Sequence, residues 1–600
     1  MKLKFYTPDF IGVRHERVCS ACRRDVNGVN MQPKSVLVSY ILNSTKNPFS
    51  SSGTMISKDW VLAHGTLLEP LVSHSDELRS VTDDLGVGIL TKNESEKSLV
   101  FSVSWEVKAT DFNDPPCCGA KVFPNVNKSS KEDSCQRSET FMTKKARLVA
   151  AWKCPLLVEA FEGILSSWRF SESPRDDKVA VADKDLFPLF LLLKIEENGV
   201  TKSSNLAEPL EVLKNFAKSL VTSQRGQQIE IESTPFGNPV FMNSVANGVV
   251  SNVLGPAKSI LLTDANAVIG CEGGPIFVSY KSGQRAVCGM VLAPLSWCRG
   301  EWVGYTLGVS LLPCLHRILN TLDENNNFHT PPASDPDIVE LIDKSVVVVR
   351  CGAGWGSGVL VDKKTGTFLT CSHVVREAPN SRITIRNCNF SARGELVYKT
   401  ATDKSYDLAI VRVDPQELSS MENVSMRTAI IRKNIFIQGD EVVCSGFPLI
   451  SSREQPLILP TITRGRVSRV SAGMLQTSCC IQSGISGGPV IAYPTGALLG
   501  IVVCNATSAG SKALFPRVNM AVPVTVFRDP ITEYLRTQDT SKPLSSNEVT
   551  SCIYSPNETG VEIMKSHHAA KPAAYLPRKA GLRLLVFNFL MNYNTCRVND

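Results

Sequence analysis

The 600-residue sequence is poor in histidine, with only eight, at positions 15, 64, 74, 316, 329, 373, 567 and 568. Any chemistry that needs an imidazole must draw on this small set. Long apolar runs are also missing. No stretch reaches the 18 or so unbroken apolar residues of a membrane span, and the longest late run, 582–591, is interrupted by Arg583 and Asn588. Concentrated charge is absent too. The net charge of +7 comes from scattered Lys and Arg, with no basic helix or Arg-rich stripe, so no nucleic-acid partner is expected. Residues Met1 to Arg14 have no apolar core and no small-residue cleavage site, so no secretory leader is expected. The 19 cysteines are odd in number and irregularly spaced, which fits mostly free thiols in a reducing compartment. The best metal-like spacing, Cys19-Ser-Ala-Cys22 near His15, has no second pair in range, so no metal and no cofactor are expected.

What remains is an ordinary globular composition, 43% hydrophobic and 20% charged, on a chain too long for one core. It breaks at the polar, Pro-rich stretch Asn320 to Pro336, which reads as a linker. On both sides, short Val/Ile/Leu runs such as Ser345–Arg350, Gly358–Val361 and Leu408–Val413 are punctuated by turn residues. Runs of this length predict all-β barrels, with helices only at about Ala207–Leu220 and Val524–Leu535. The halves match in order. Gly53–His64 parallels Gly358–His373, Asn247–Ser251 parallels Arg464–Ser468, and Gly270-Cys-Glu-Gly-Gly-Pro275 parallels Gly484-Ile-Ser-Gly-Gly-Pro489. The match predicts a duplication. The expected layout is an N-terminal segment 1–35, a first unit 36–318 with a long insert at about 105–185, a linker 319–336, a second unit 337–538 and a tail 539–600.

Serine-based peptide hydrolysis needs a hydroxyl, a base, an acid that orients the base, and backbone donors for the oxyanion. Small residues around Ser486 allow a tight loop in which the N–H groups of Gly484 and Ser486 converge. Upstream, His373 follows the β-like run Phe368-Leu-Thr-Cys-Ser, and Asp407 opens the run Leu408–Val413. The order His–Asp–Ser, with gaps of 407−373=34 and 486−407=79, is that of the chymotrypsin fold. The predicted architecture is therefore two tandem chymotrypsin-like double β-barrel units, with His373, Asp407 and Ser486 as the triad. Cys371 and Cys480 are competing nucleophiles but lack a helix-opening or oxyanion-loop context.

Thr370-Cys-Ser-His-Val-Val375, Tyr406-Asp-Leu-Ala-Ile-Val411, Gln438-Gly-Asp440, Gly446-Phe-Pro448 and the GxSGGP loop resemble the HtrA/Deg-type branch of trypsin-like proteases. With the two-unit layout and Val518–Val526, they are similar to the family of peroxisomal leader-peptide-processing proteases. That resemblance implies a peroxisomal serine endopeptidase acting on presequence-bearing protein substrates and cleaving after cysteine. A homo-oligomer is left open. Cys480, six residues before Ser486, stands where trypsin holds the aspartate for basic side chains. Cys480, Asn505, Asn519 and Ala521 are thus candidate walls of a small neutral pocket. The given sequence ends Cys596-Arg-Val-Asn-Asp600 rather than in a Ser-Lys-Leu-type import signal, and with 62 residues (539–600) after the second unit no PDZ-like segment is expected in it.

In the first unit Glu272 stands where Ser486 would be and Leu189 where Asp407 would be, so that unit is expected to be degenerate, with His64 a packed relic. Cys117 or Cys118, in the insert, is an expected site for slow self-cleavage. Two other readings stay open: an HtrA/Deg-like quality-control protease of another organelle, and a non-catalytic protease-like binding protein.

Overall fold

The computed structural model describes residues 32–41, 48–70, 100–107, 121–122, 140–165, 186–196, 207–280, 284–298, 301–319, 336–388, 390–401, 406–419, 430–431, 436–448, 459–471, 473–508, 514–539 and 561–562. Cys117, Cys118, the Cys19–Cys22 pair, most of the linker and most of the tail lie outside them.

Strands dominate, as the short β-branched runs predict, and they form four barrels. The first sheet runs in the order Phe101–Val107, Lys34–Tyr40, Phe49–Ser57, Trp60–His64, Leu189–Ile195, Thr140–Lys153, Lys121–Val122, and pairing of Phe101–Val107 with Thr140–Lys153 closes it. The second is a closed barrel of Ile260–Thr263, Glu301–Ser310, Arg285–Cys298, Pro275–Ser279, Gln228–Ser233 and Ser244–Leu254. The third closes Val346–Cys351, Gly354–Asp362, Thr367–Thr370, Ala409–Val413, Ser391–Lys399 and Ile383–Arg386. The fourth is built on Ala497–Ser508, Pro489–Ala492, Glu441–Gly446, Thr461–Ser471, Met474–Thr477 and Leu514–Pro523, and its first and last strands pair to complete the ring. Two double-barrel units in tandem result, and each closes on a helix, Leu311–Leu319 in the first and Val524–Thr537 in the second.

Both expected helices form, over Ala207–Ser219 and Val524–Thr537. Leu311–Leu319 and Pro336–Ser345 also form, the first outside the helices expected from sequence and the second starting at the last residue of the expected linker. The stretch 105–185 is less of an insert than its length suggests. Thr140–Lys153 pairs with both Phe101–Val107 and Leu189–Ile195, so it belongs to the barrel wall.

In the second unit one continuous core joins the third and fourth barrels, with Phe368, Ile410, Val490 and Ile501 fully buried. Each such side chain contributes about 1.5–3 kcal/mol relative to exposure. The cysteines whose side chains are described carry free thiols, and no described helix is long and apolar enough to cross a membrane.

Candidate active site

Strand Thr367–Thr370 is buried along its whole length, and His373 follows it by three residues. Ser372 fixes that turn by donating from Oγ to the Thr400 carbonyl at 2.8 Å. Thr400 also brackets the opposite segment, since its Oγ1 accepts from the Leu408 N–H at 2.9 Å and its N–H donates to the Leu408 carbonyl. Asp407, beside Leu408, is thereby presented to His373. The His373 backbone N–H donates to Asp407 Oδ1 (3.1 Å) and ring Nδ1–H to Oδ2 (2.6 Å). Burial pushes the Asp407 carboxyl up. The hydrogen bond and charge of His373, with the N–H groups of His373 and Ser372, outweigh burial and hold it below the usual carboxylate range. With Nδ1 committed to the carboxylate, Nε2 keeps the lone pair that a general base uses.

Ser486 lies in a loop that needs its glycines. Gly484 has φ +101°, and a Cβ there would fall 2.4 Å from the Phe447 carbonyl. Gly487 has φ +87°, and a Cβ there would fall 2.1 Å from the Ser357 carbonyl. The Ile485 N–H donates to Gln482, Gly487 to Val502 and Gly488 to Ile485. Among the described residues, the N–H groups of Gly484 and Ser486 alone in 484–488 have no acceptor. Two unpaired donors two residues apart, in a loop pinned on both sides, are the equipment of an oxyanion hole. Ser486 Oγ donates to the Val503 carbonyl at 2.9 Å and makes no hydrogen bond to His373.

The first unit repeats these loop bonds. Cys271 N–H donates to Val268, Gly273 to Val291 and Gly274 to Cys271. Ser52 Oγ donates to the Gly270 carbonyl at 2.7 Å, as Ser357 Oγ does to that of Gly484 at 2.7 Å. The difference is chemical: the Gly270 N–H donates to Glu272 Oε2 at 2.7 Å, so the side chain at the nucleophile position occupies a donor that an oxyanion would need. Burial pushes that carboxyl up to about 7. His64 is not placed like His373. It is the last residue of its strand, opposite Phe190, with Nε2 against the Phe187 carbonyl (2.9 Å) and Nδ1 against Thr66 Oγ1 (3.0 Å). Burial lowers its pKa to about 4, which leaves a neutral, fully satisfied ring.

Cys371 is a neighbour that the sequence does not foretell. Its thiol, with donor atoms of His373 and Asp407, forms a group within 4.8 Å of one another. Sγ donates to the Val502 carbonyl at 3.1 Å, and burial raises its pKa well above the usual thiol value, so it sits beside His373 and Asp407 as a protonated thiol.

The expected pocket residues fare unevenly. Asn505 is 9% exposed, whereas Cys480 and Asn519 are at 0% and Ala521 at 1%. Asn519 accepts from Thr477 Oγ1 (2.5 Å) and donates to the Cys479 carbonyl (2.6 Å), so it is a brace. Cys480 does not line an open floor, because its thiol packs into the first unit's core against Gly304, and burial raises its pKa to about 12. Gln482, absent from the sequence reading, is 3% exposed and neither of its amide atoms has a partner among the described residues. Asn505 donates from Nδ2 to the Ile481 carbonyl at 3.0 Å while its Oδ1 has no partner.

The family model described as "Trypsin-like peptidase domain" matches residues 356–501, a span that holds His373, Asp407 and Ser486. The chain is a serine protease with a trypsin-like peptidase domain. It is 28% identical over 533 residues to the peroxisomal leader peptide-processing protease of Homo sapiens, covering 82% of this chain and 89% of that protein. The Mus musculus protein of the same name is 27% identical over 539 residues, with the same coverage. Among solved structures, an HtrA-type protease with a tripeptide aligns at 20% identity and a TM-score of 0.27, over 34% of this chain and 64% of its own.

Proposed function

We propose that His373, Asp407 and Ser486 form the catalytic triad of an endopeptidase that removes N-terminal presequences from proteins of the peroxisome. The observation that carries the triad is the His373–Asp407 pair at 2.6 Å together with a loop whose Gly484 and Ser486 N–H groups are unpaired. In this reading Ser486 Oγ leaves the Val503 carbonyl by a turn about χ1 and is deprotonated by His373 Nε2 as it attacks the scissile carbonyl. Asp407 holds the imidazolium that forms, and the two N–H groups receive the oxyanion. His373 then returns the proton to the leaving amine, and water clears the acyl-serine by the same steps in reverse roles. Apo hydrogen bonds of this kind commonly form only with substrate bound.

The presequence substrate and the peroxisomal setting rest on the names of the human and mouse relatives, which match most of the chain. A small neutral side chain before the scissile bond, cysteine included, is favoured by the neutral groups of segment 479–482 and Asn505. Asn505 and Gln482 offer unpaired amide atoms to a small polar side chain. Self-cleavage at Cys117 or Cys118 belongs to the same reading, and intact mass over time on wild type and Ser486→Ala checks it. The central experiment is labelling by a fluorophosphonate probe together with presequence-peptide cleavage. Labelling at Ser486 that disappears with Ser486→Ala or His373→Ala is expected. Cleavage that survives both substitutions overturns the triad.

A further inference from the structure

The chain from Cys479 to Gln482 leads into the Ser486 loop, and each of its four carbonyls is held by a different group. Asn519 Nδ2 holds that of Cys479 (2.6 Å), Asn505 Nδ2 that of Ile481 (3.0 Å) and the Ile485 N–H that of Gln482 (3.0 Å). The carbonyl of Cys480 is reached by Tyr305 Oη at 3.4 Å, and Tyr305 belongs to the first unit. Beside it, a Cβ added to Gly304 would meet Cys480 Sγ at 3.0 Å and Pro516 Cγ at 3.5 Å. The Pro516 carbonyl in turn accepts from the Ile481 N–H at 3.1 Å. Behind these contacts Asp264, 1% exposed, ties the units together. Its Oδ2 accepts from the Arg464 N–H (2.8 Å), its Oδ1 from the Val249 N–H (2.7 Å), and its carbonyl from the Arg517 guanidinium.

The first unit has thus lost its own oxyanion donor to Glu272, yet it supplies the missing clamp on the specificity segment of the second. We propose that Tyr305, seated by Gly304 and Asp264, is a positioning residue for segment 479–482, so that the degenerate unit helps set side-chain selection by the active one. This rests on the protease reading above and goes beyond it by giving the first unit a part in specificity. Tyr305 acts through the Cys480 carbonyl and does not touch substrate. Its loss should therefore alter KM and selectivity more than the chemical step.

The test measures kcat and KM on matched peptides with small neutral or bulky residues before the scissile bond. It uses the full-length protein and its Tyr305→Phe, Gly304→Ala and Arg225→Met variants, with melting curves. Tyr305→Phe keeps the ring and removes one hydroxyl, so the small-to-bulky ratio of kcat/KM should fall about 2–10-fold, mostly through KM, as for loss of one hydrogen bond. Gly304→Ala, which presses on Cys480 from the same side, should move the ratio in the same direction. It keeps the test open should Tyr305→Phe fail to fold. Arg225 bridges the units elsewhere, through Asp343 and the Pro460 carbonyl (3.0 Å), so Arg225→Met should lower stability and leave the ratio alone. Wild-type ratios in both Tyr305→Phe and Gly304→Ala, or an equal shift in Arg225→Met, overturn the inference. If the wild type neither labels at Ser486 with a small fluorophosphonate nor cleaves any peptide, the protease reading falls first and takes this one with it.

Discussion

Ser486 and Glu272 occupy equivalent points of two nearly identical loops and differ in the chemistry of their side chains. Ser486→Ala should lower peptide cleavage on the order of 10⁴–10⁶-fold while leaving the melting temperature near that of wild type, a split read by kinetics and calorimetry together. Glu272→Ser should give no second active site, because His64 is held by Phe187 and Thr66 and has no carboxylate beside it. The same residue predicts a pH effect. Its carboxyl rises from the ordinary range to about 7 in the folded state, so the native protein holds a proton that the unfolded chain has released. Stability therefore falls as pH rises between about 4 and 7, and Glu272→Gln should flatten that slope in urea titrations at stepped pH. Asp407 has the opposite sign. Its carboxyl is depressed, so its contribution is present above the unfolded value of about 4 and is lost as pH falls through the folded one.

At the scale of the element, the GxSGGP loop works because its backbone is bent where only glycine fits. Gly484→Ala places a methyl against the Phe447 carbonyl in a left-handed conformation. It should displace the Gly484 N–H and reduce kcat about 10²–10³-fold, as for loss of one oxyanion donor, with KM changed far less. A wild-type kcat in that variant would show that this N–H is not used. The loop and the His–Asp–Ser order were legible because they depend on residues adjacent in sequence and on local turn chemistry. The strand Thr140–Lys153 was not. Its partners, Phe101–Val107 and Leu189–Ile195, lie tens of residues away on either side, and its Thr-Lys-Lys-rich start carries no clear alternation.

At the scale of the whole molecule, the two units are joined along the strands Ser244–Leu254 and Thr461–Ser471. Asn252 Nδ2 donates to the Leu459 carbonyl (3.1 Å) and Thr461 Oγ1 (3.3 Å), and Arg225 pairs with Asp343. Arg225 has a nearly buried side chain, and Arg225→Met leaves Asp343 without its partner. That should cost about 3 kcal/mol. It is checked as a lower denaturation midpoint that Asp343→Leu in the same chain partly restores, since replacing both charges removes the unpaired one.

The amino-acid sequence by itself determined the class of the chain. Short β-branched runs, a repeated Gly-rich loop and one complete His–Asp–Ser series specify tandem barrels with one equipped site, because strand propensity, turn geometry and loop chemistry act over a few residues. The tertiary structure alone decided what those residues face. Cys480, read as a pocket floor, is turned into the core of the first unit. Asn519 and Ala521 are enclosed, Gln482 keeps an unpaired amide, and Tyr305 reaches across to the segment that precedes Ser486. Such contacts join positions 175 residues apart. They follow from how closed barrels pack against one another, which no local pattern encodes.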